Sequence, residues 1–423
     1  MIFKSGTSAN EDGSRDLRPL DDRGPLNVMF MLTSMPVGGA ETLLENLVRR
    51  MSDQFRPHIC CLKEAGELGE QISAEFPFES ELIHHKYDLR VLGRLKRLFR
   101  KNKIDAVVTV GAGDKMFWGR LAAKRAGIPV ILSALHSTGW PDGVGKLNRL
   151  LTKITDSFIA VANSHGEFLV DFENFPKAKV RVIPNGIDVE RFRSHRYDRA
   201  KTRKELGIGE SDLVCGIIAA LRPEKNHLLF LRSAATTLTE FPNAKFVIVG
   251  DGQERPMLET AVNDLAIKQN VIFTGSRSDV PELLSAFDVF SLTSRNEASP
   301  VSIMEAMAME LPVVAPNVGS ISDTVVHGET GMIYNTGNAE KISECWTMLF
   351  EDAALRQRFG QAGRDVITTQ SSLDVMVSGY ESLIKEIYSR KAGLAKSDTS
   401  LDSNNEFNSS CNSTDKVASS TAI

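Results

Sequence analysis

Short apolar, β-branched runs alternate with helical patterns along most of this sequence, and that alternation constrains the fold more than any other feature. A first series of runs comprises Asn27–Thr33, Pro57–Leu62, Asp105–Val110, Pro129–Ser133 and Ser157–Val161. After a break comes a second series: Leu213–Ala219, Lys245–Val249, Val271–Phe273, Val289–Leu292 and Pro312–Ala315. Helical segments such as Glu41–Met51, Leu92–Lys101, His227–Thr239 and Val301–Met309 lie between runs. Strands joined by helix-length crossovers pair in parallel, and parallel sheets need helices on both faces. Two series therefore predict an α/β chain with two doubly wound parallel-sheet domains. Open parallel sheets take ligands beyond the carboxyl ends of their strands, so a site is expected in a cleft between the two.

The length agrees. At 423 residues the chain exceeds the roughly 250–300 at which a single core stops growing. The boundary is expected near Pro184–Arg199, where Pro184, Asn185 and Gly186 end the strand Val180–Ile183 and a charged, irregular stretch follows. This divides the chain into a disordered tail at 1–25, an N-terminal domain at 26–190, a C-terminal domain at 191–370, a helix at 371–395 that crosses back to the first domain, and a disordered tail at 396–423. The last tail is rich in Ser, Asn and Thr and cannot bury enough surface to fold.

Charge and cysteine usage remove several function classes. A formal net charge of -4 argues against a nucleic-acid partner, which demands a basic excess. Five cysteines show no metal-type spacing. The neighbours Cys60 and Cys61 point to opposite faces of a strand and cannot pair readily. The first 24 residues hold no apolar signal core, and no apolar run approaches the roughly 18–20 residues of a membrane span. The expectation is a cytoplasmic protein, at most peripheral at the inner face of the membrane. The basic amphipathic segment Arg94–Lys103 suits either a solvated face or contact with anionic lipid.

The chemistry concentrates between Ser294 and Glu305. A strand ends at Leu292, a loop carries Glu297, and Ser299-Pro300 is expected to open a helix as N-cap and first residue. The amides behind Pro300, at Val301 and Ser302, form an anion site backed by the helix dipole. Glu297 on the loop and Glu305 along the helix offer carboxylates to sugar hydroxyls. Solvated glutamates are the plain alternative, but Glu305 lies among Ile303, Met304, Ala306 and Met307, where a bare carboxylate is costly.

These residues give the sequence a recognisable pattern. It resembles the retaining glycosyltransferases of family 4, which have the GT-B architecture of two Rossmann-like domains, and the resemblance runs from about Leu26 to Ser389. Glu297 and Glu305 match the family's pair of glutamates with seven residues between them. Asp288-Val-Phe, Glu305-Ala-Met-Ala, Leu311-Pro-Val-Val and His327-Gly-Glu-Thr-Gly331 match the surroundings. Ala298 departs from the family's usual Gly. The resemblance implies that Glu297 lies near the donor sugar and diphosphate, and Glu305 on the ribose hydroxyls. Lys225 falls on a diphosphate-binding position. The usual Arg position is Ala220, with Arg222 two residues on, on the same side of an extended segment.

Further positions follow from the same resemblance. Gly38 and Gly39 permit close approach of a ligand in the loop that faces the cleft from the first domain. His136, at the exit of a strand, lies on a position close to the donor sugar. Asn185 and Gly186 correspond to the family's Asn-Gly-Ile-Asp segment near the hinge, where phosphate contact and turn chemistry are both open. Gly275 and Arg277 fall where the backbone meets the nucleotide base.

The implied reaction moves a hexose-type sugar from a UDP- or GDP-linked donor to the hydroxyl of a glycan or lipid-linked acceptor, with retention, in polysaccharide or lipid-linked glycan synthesis. No Asp-X-Asp triplet occurs, so neither a metal nor a further cofactor is expected. The alternative is a catalytically inactive GT-B scaffold or nucleotide-sugar-binding protein.

Overall fold

Two wholly parallel sheets carry the architecture. The computed structural model describes residues 17–36, 38–85, 88–111, 114–136, 150–335 and 337–393. The N-terminal sheet contains β1 (Leu26–Leu32), β2 (Phe55–Cys61), β3 (Phe78–Glu79), β4 (Ala106–Val110), β5 (Val130–Ala134), β6 (Ser157–Ala160) and β7 (Val180–Val182), in the order β3-β2-β1-β4-β5-β6-β7. The C-terminal sheet contains β8 (Val214–Ile218), β9 (Lys245–Val249), β10 (Val271–Gly275), β11 (Val289–Ser291), β12 (Val313–Pro316) and β13 (Gly331–Tyr334), in the order β10-β9-β8-β11-β12-β13. In each sheet the strand order reverses direction once, between β1 and β4 and between β8 and β11. Such switch points are where doubly wound sheets open a crevice. The strand β3 escapes the sequence pattern because two residues are too few to show a period, and β13 (Gly-Met-Ile-Tyr) because it opens on glycine and has a single β-branched residue.

Each sheet is buried on both faces. Alternate residues of one strand enter different cores: Cys61 packs with Phe30, Val108 and Leu132, whereas Cys60 packs with Met31, Val107 and Phe99. This is the opposite-face placement expected of the Cys60–Cys61 neighbours. In the C-terminal domain Phe230, Phe246 and Trp346 form a ring cluster with centroids 5.1–6.0 Å apart. A buried salt link fixes the start of that sheet. Asp288, just before β11, accepts Arg199 at 2.6 Å, Arg203 at 2.8 Å and the amide of Val214 in β8 at 2.8 Å.

Two chain crossings tie the domains together. The amide of Ile187 donates to Ser371 O at 3.0 Å, and the amide of Leu373 donates back to Ile187 O at 2.9 Å. From there the helix Leu373–Lys391 runs over the first domain. Its Met376, Tyr380, Ile384 and Ile387 are buried with β1, β4 and β5 residues. Gly186 is required here by close approach, since a Cβ would lie 2.3 Å from Ser372 O and 2.9 Å from the Met376 side chain.

The N-terminal tail is shorter than the sequence suggests. Expected disorder to residue 25 gives way to a 3-10 turn at Leu20–Asp22. Arg23 then reaches Asp105 at 2.7 Å and the Tyr388 hydroxyl at 2.5 Å. That partly buried pair organises a polar stretch which hydropathy alone reads as solvated. The expectations for residues 1–16 and 396–423 lie outside the described residues. The basic segment is the helix Val91–Lys101, whose Val91, Leu95, Leu98 and Phe99 are buried in the core. Arg94 is spent on Leu82 O and Asp88, so this helix offers a surface charge but no apolar face.

Gly186→Ala is expected to lower stability by about 1–3 kcal/mol through overpacking. Chemical denaturation checks this, and the loss should exceed that of Gly93→Ala, where the added methyl meets nothing within 4 Å.

Candidate active site

The loop after β11 is built around one carboxylate. Oε1 of Glu297 accepts Lys225 Nζ at 2.6 Å and Ser294 Oγ at 2.6 Å, and the residue is only 8% exposed. A carboxylate in that setting is tolerated because it is paired and hydrogen-bonded. The loop is held from behind as well. Glu297 O accepts the Ser320 amide at 3.2 Å, Ser320 Oγ donates to Ala298 O, and Gly319 adopts φ +56°. A Cβ on Gly319 would stand 1.6 Å from Glu297 O, so only glycine permits this closeness.

Lys225 reaches the carboxylate from the loop after β8. Pro223–Lys225 form a 3-10 turn, and Asn226 takes the left-handed conformation at φ 54° before the helix His227–Thr237 begins. Asparagine tolerates that conformation better than most residues. Thr293 Oγ1 donates to the carbonyls of Lys225 and Asn226 at 3.1 Å each, stapling the β8 and β11 loops. Arg222 is largely exposed, 4.0 Å from Glu224, and its field acts on Glu41. Its guanidinium thus lies at the surface of the loop after β8, three residues before Lys225 in the chain.

The helix that follows Glu297 is Val301–Ala308, with Pro300 at the N-cap position and no side-chain cap. This corrects the expectation of Ser299 as N-cap and Pro300 as first residue. The chain enters helical geometry one position later, and Ser299 supplies no capping bond. The consequence for anions is unchanged, because the Val301 and Ser302 amides have no acceptor within the helix. Glu305 follows on this helix, and burial pushes its carboxyl up to about 7, opposed only by the field of Arg191.

The first domain forms the facing wall. Gly38 precedes the helix Gly39–Arg50, and a Cβ at Gly39 would lie 3.6 Å from Val301 Cγ2. The glycine loop thus covers the N-terminus of the Glu305 helix. Glu41 folds back beneath Gly38, with its carboxyl raised by burial. His136 follows β5, and burial with the nearby His165 lowers its imidazole to about 4. Its Nδ1 has no hydrogen-bond partner among the described residues, so at neutral pH the ring is uncharged and ready to receive one.

The structure separates some of the sequence candidates. Lys225, Glu297, Pro300, Val301 and Ser302 gather at the carboxyl edge of the second sheet, beneath Gly38 and Gly39. Asn185 is buried within the interdomain crossing beside Gly186. Gly275, at φ +72°, ends β10, and its carbonyl accepts the Gly250 amide at 2.9 Å. Arg277 is engaged by Asp279, with Nε 2.6 Å from Oδ1.

Ser294, Gly319, His165 and Arg191 complete the site without having been singled out as functional. Gly319 and Arg191 approach from distant segments, and spacing could not reveal them. Ser294, three residues before Glu297, was within reach of loop reasoning. One further contact closes the cleft: Ser164, in the helix Asn163–Asp171, donates to Asp323 through its amide at 2.8 Å and its hydroxyl at 3.0 Å. Beside it lies a cavity of 420 Å³, with Phe168, Asp171 and Phe172 on one wall and Asn296, Gly319 and Ser320 on the other.

Comparison with known proteins agrees with this geometry. Residues 198–366 match the family model "Glycosyl transferases group 1", and residues 37–191 match "Glycosyltransferase Family 4". The chain is 28% identical over 320 residues to the UDP-Gal:alpha-D-GlcNAc-diphosphoundecaprenol alpha-1,3-galactosyltransferase of Escherichia coli, covering 72% of this chain and 82% of that one. It is 25% identical to a GDP-mannose-dependent alpha-(1-6)-phosphatidylinositol monomannoside mannosyltransferase of Mycobacterium tuberculosis, covering 67% and 77%. Among solved structures, Anabaena HepE in complex with UDP-glucose superposes with a TM-score of 0.74 at 20% identity, covering 85% of this chain and 99% of that one. These similarities and the two facing parallel sheets establish the GT-B fold.

Two substitutions test the geometry. Gly319→Ala must displace the Glu297 backbone, and a loss of about 2 kcal/mol or more in denaturation is expected. Glu305 follows the opposite sign from most acids. Its folded-state value is raised, so its contribution is full below the ordinary value near 4.5 and is lost as pH rises toward 7. Glu305→Gln should therefore be more stable than wild type by about 1–3 kcal/mol at pH 8, with the difference shrinking at pH 5.

Proposed function

Since the chain belongs to the family 4 glycosyltransferases, we propose that it transfers a hexose-type sugar from a UDP- or GDP-linked donor to an acceptor hydroxyl with retention of anomeric configuration. One observation carries this reading: the Lys225–Glu297 pair lies at the carboxyl edge of the second sheet, at the open N-terminus of the Glu305 helix. That arrangement puts a cation, two helix amides and a carboxylate within one loop cluster. A diphosphate suits the first two, and a sugar hydroxyl suits the third.

In this reading the Val301 and Ser302 amides, Lys225 and Arg222 hold the donor diphosphate. Gly38 and Gly39 let its backbone-facing side come close. Gly275 and Arg277 lie toward the base, Asn185 borders the hinge, and Glu305 takes the ribose hydroxyls. Glu297 and the uncharged ring of His136 orient the sugar. The bond from the anomeric carbon to the phosphate oxygen breaks, and a bond to the acceptor oxygen forms on the same face. The acceptor's proton passes to the departing phosphate, and the nucleoside diphosphate leaves. Fixed donors stabilise the developing phosphate charge because they need no reorganisation during the step. Closure of the two domains excludes water from the reacting centre. His136 is a neutral imidazole at neutral pH, with one N–H donor and one acceptor nitrogen, so its part is hydrogen bonding and not acid catalysis. No metal or cofactor enters the scheme.

The acceptor is a glycan or lipid-linked glycan, in polysaccharide or lipid-linked glycan synthesis. The names of the Escherichia coli and Mycobacterium tuberculosis relatives, both with lipid-bearing acceptors, support this. The cavity lined by Phe168 and Phe172 opens beside Glu297. The two rings stack with centroids 5.4 Å apart, and Phe172 is 72% exposed. An exposed ring offers a flat apolar surface to the C–H face of a sugar, so the acceptor is placed there.

Release of nucleoside diphosphate from a panel of UDP- and GDP-sugars, with crude membranes as acceptor source, tests the reaction. One donor should turn over, and Glu297→Gln should slow release at least 100-fold. Nuclear magnetic resonance of the product should show the donor's anomeric configuration, and inversion would refute the stereochemical part. Phe172→Ala should raise the KM for acceptor several-fold while leaving slow donor hydrolysis without acceptor unchanged.

A further inference from the structure

A second cavity, of 430 Å³, lies at the carboxyl edge of the second sheet, on the reverse of the Glu297 loop. It is bounded by the start of the helix His227–Thr237, by Thr293–Arg295, and by residues from the ends of β12 and β13. Its lining includes Arg232 and Arg295 and no carboxylate. Both arginines are exposed, and neither guanidinium has an ion-pair or hydrogen-bond partner among the described residues. That contrasts with Arg23, Arg94, Arg199, Arg203 and Arg277, each held by an aspartate. Two unpaired guanidinium groups around a concave recess make an anion site, because nothing in the lining neutralises them. The remaining wall is mixed: Leu228, Leu229 and Pro316 supply apolar surface, and Asn226, Thr293 and Ser294 supply polar groups. The size falls within the roughly 300–1,000 Å³ range of small-molecule sites.

We propose that this cavity binds a soluble phosphate-bearing small molecule, of the sugar-phosphate or nucleotide class, with its phosphate on Arg232 and Arg295 and its uncharged body against Leu228 and Leu229. The site is separate from the donor cleft yet shares a wall with it. Ser294 lines the cavity and its hydroxyl holds Glu297, Thr293 Oγ1 holds the carbonyl of Lys225, and the Arg295 amide donates to Glu224 O at 2.8 Å. A ligand that draws Arg295 inward pulls on the segment that positions Glu297, so occupancy of the cavity changes donor turnover.

Calorimetric titration of the full chain with glucose 6-phosphate, a sugar monophosphate with no diphosphate for the donor cleft, tests the site. Wild type should bind, and the surface double variant Arg232→Gln/Arg295→Gln should bind at least tenfold more weakly with an unchanged melting midpoint. Arg222→Gln, on the cleft side, should bind within threefold of wild type. No binding to wild type, or full binding to the double variant, would overturn the proposal, as would loss of binding in Arg222→Gln alone. Glucose 6-phosphate should also change nucleoside diphosphate release at least twofold in wild type and leave the double variant unaffected. Equal responses in the two proteins would overturn the coupling.

Discussion

The double crossing at Ile187 and Ser371–Leu373 is the constraint on which the rest of the molecule depends. Two reciprocal backbone hydrogen bonds hold the outgoing and returning chains side by side, and Gly186 gives them room. The helix Leu373–Lys391 then buries its apolar face in the first domain's core. With that connection fixed, the carboxyl edges of two parallel sheets face each other. The Gly38–Gly39 loop lies against Val301 on one flank, and Ser164 meets Asp323 on another. A cleft with these walls is the product of sheet topology and of one narrow hinge, before any side chain contributes chemistry.

Within the cleft, electrostatics divides the carboxylates into two kinds. Glu297 is neutralised by Lys225 and fixed by Ser294, so it remains a rigid acceptor of hydrogen bonds. Among the described residues Glu305 has the field of Arg191 alone to oppose its burial, which keeps its proton to about pH 7. In the proposed reading, ribose hydroxyls donating to Glu305 favour its ionised form and couple nucleotide binding to proton release near neutrality. His136 is shifted the other way and stays uncharged through the same range. The positive charge beside Glu297 sits on Lys225 and the open helix amides, with Arg222 on the same loop, an arrangement that suits the diphosphate of the proposed reaction.

Much of this was legible in the residues themselves. Alternating apolar runs located eleven strands, and the Glu297–Glu305 spacing singled out the loop and helix that the structure places at the cleft. What the sequence hid has specific causes. The strand β3 is too short for periodicity, and β13 opens on glycine with a single β-branched residue. The pairing of Arg23 with Asp105 spans 82 residues, so the order it brings to residues 17–25 is invisible to local composition. Gly319 serves the site only because a remote turn passes over the Glu297 carbonyl, and no spacing rule encodes that approach. Pro300 takes the cap position that Ser299 was expected to fill, a one-residue shift of the kind local propensity does not resolve.

The central claim is that this cleft holds a nucleoside diphosphate on the cationic loop after β8 and the helix after Glu297. Titration of the purified chain with UDP and with GDP tests it most directly. The account predicts one-to-one binding of one of the two nucleotides, weakened at least tenfold by Arg222→Gln and unaffected by Phe172→Ala. Failure of both nucleotides to bind, or an affinity indifferent to Arg222, would contradict it.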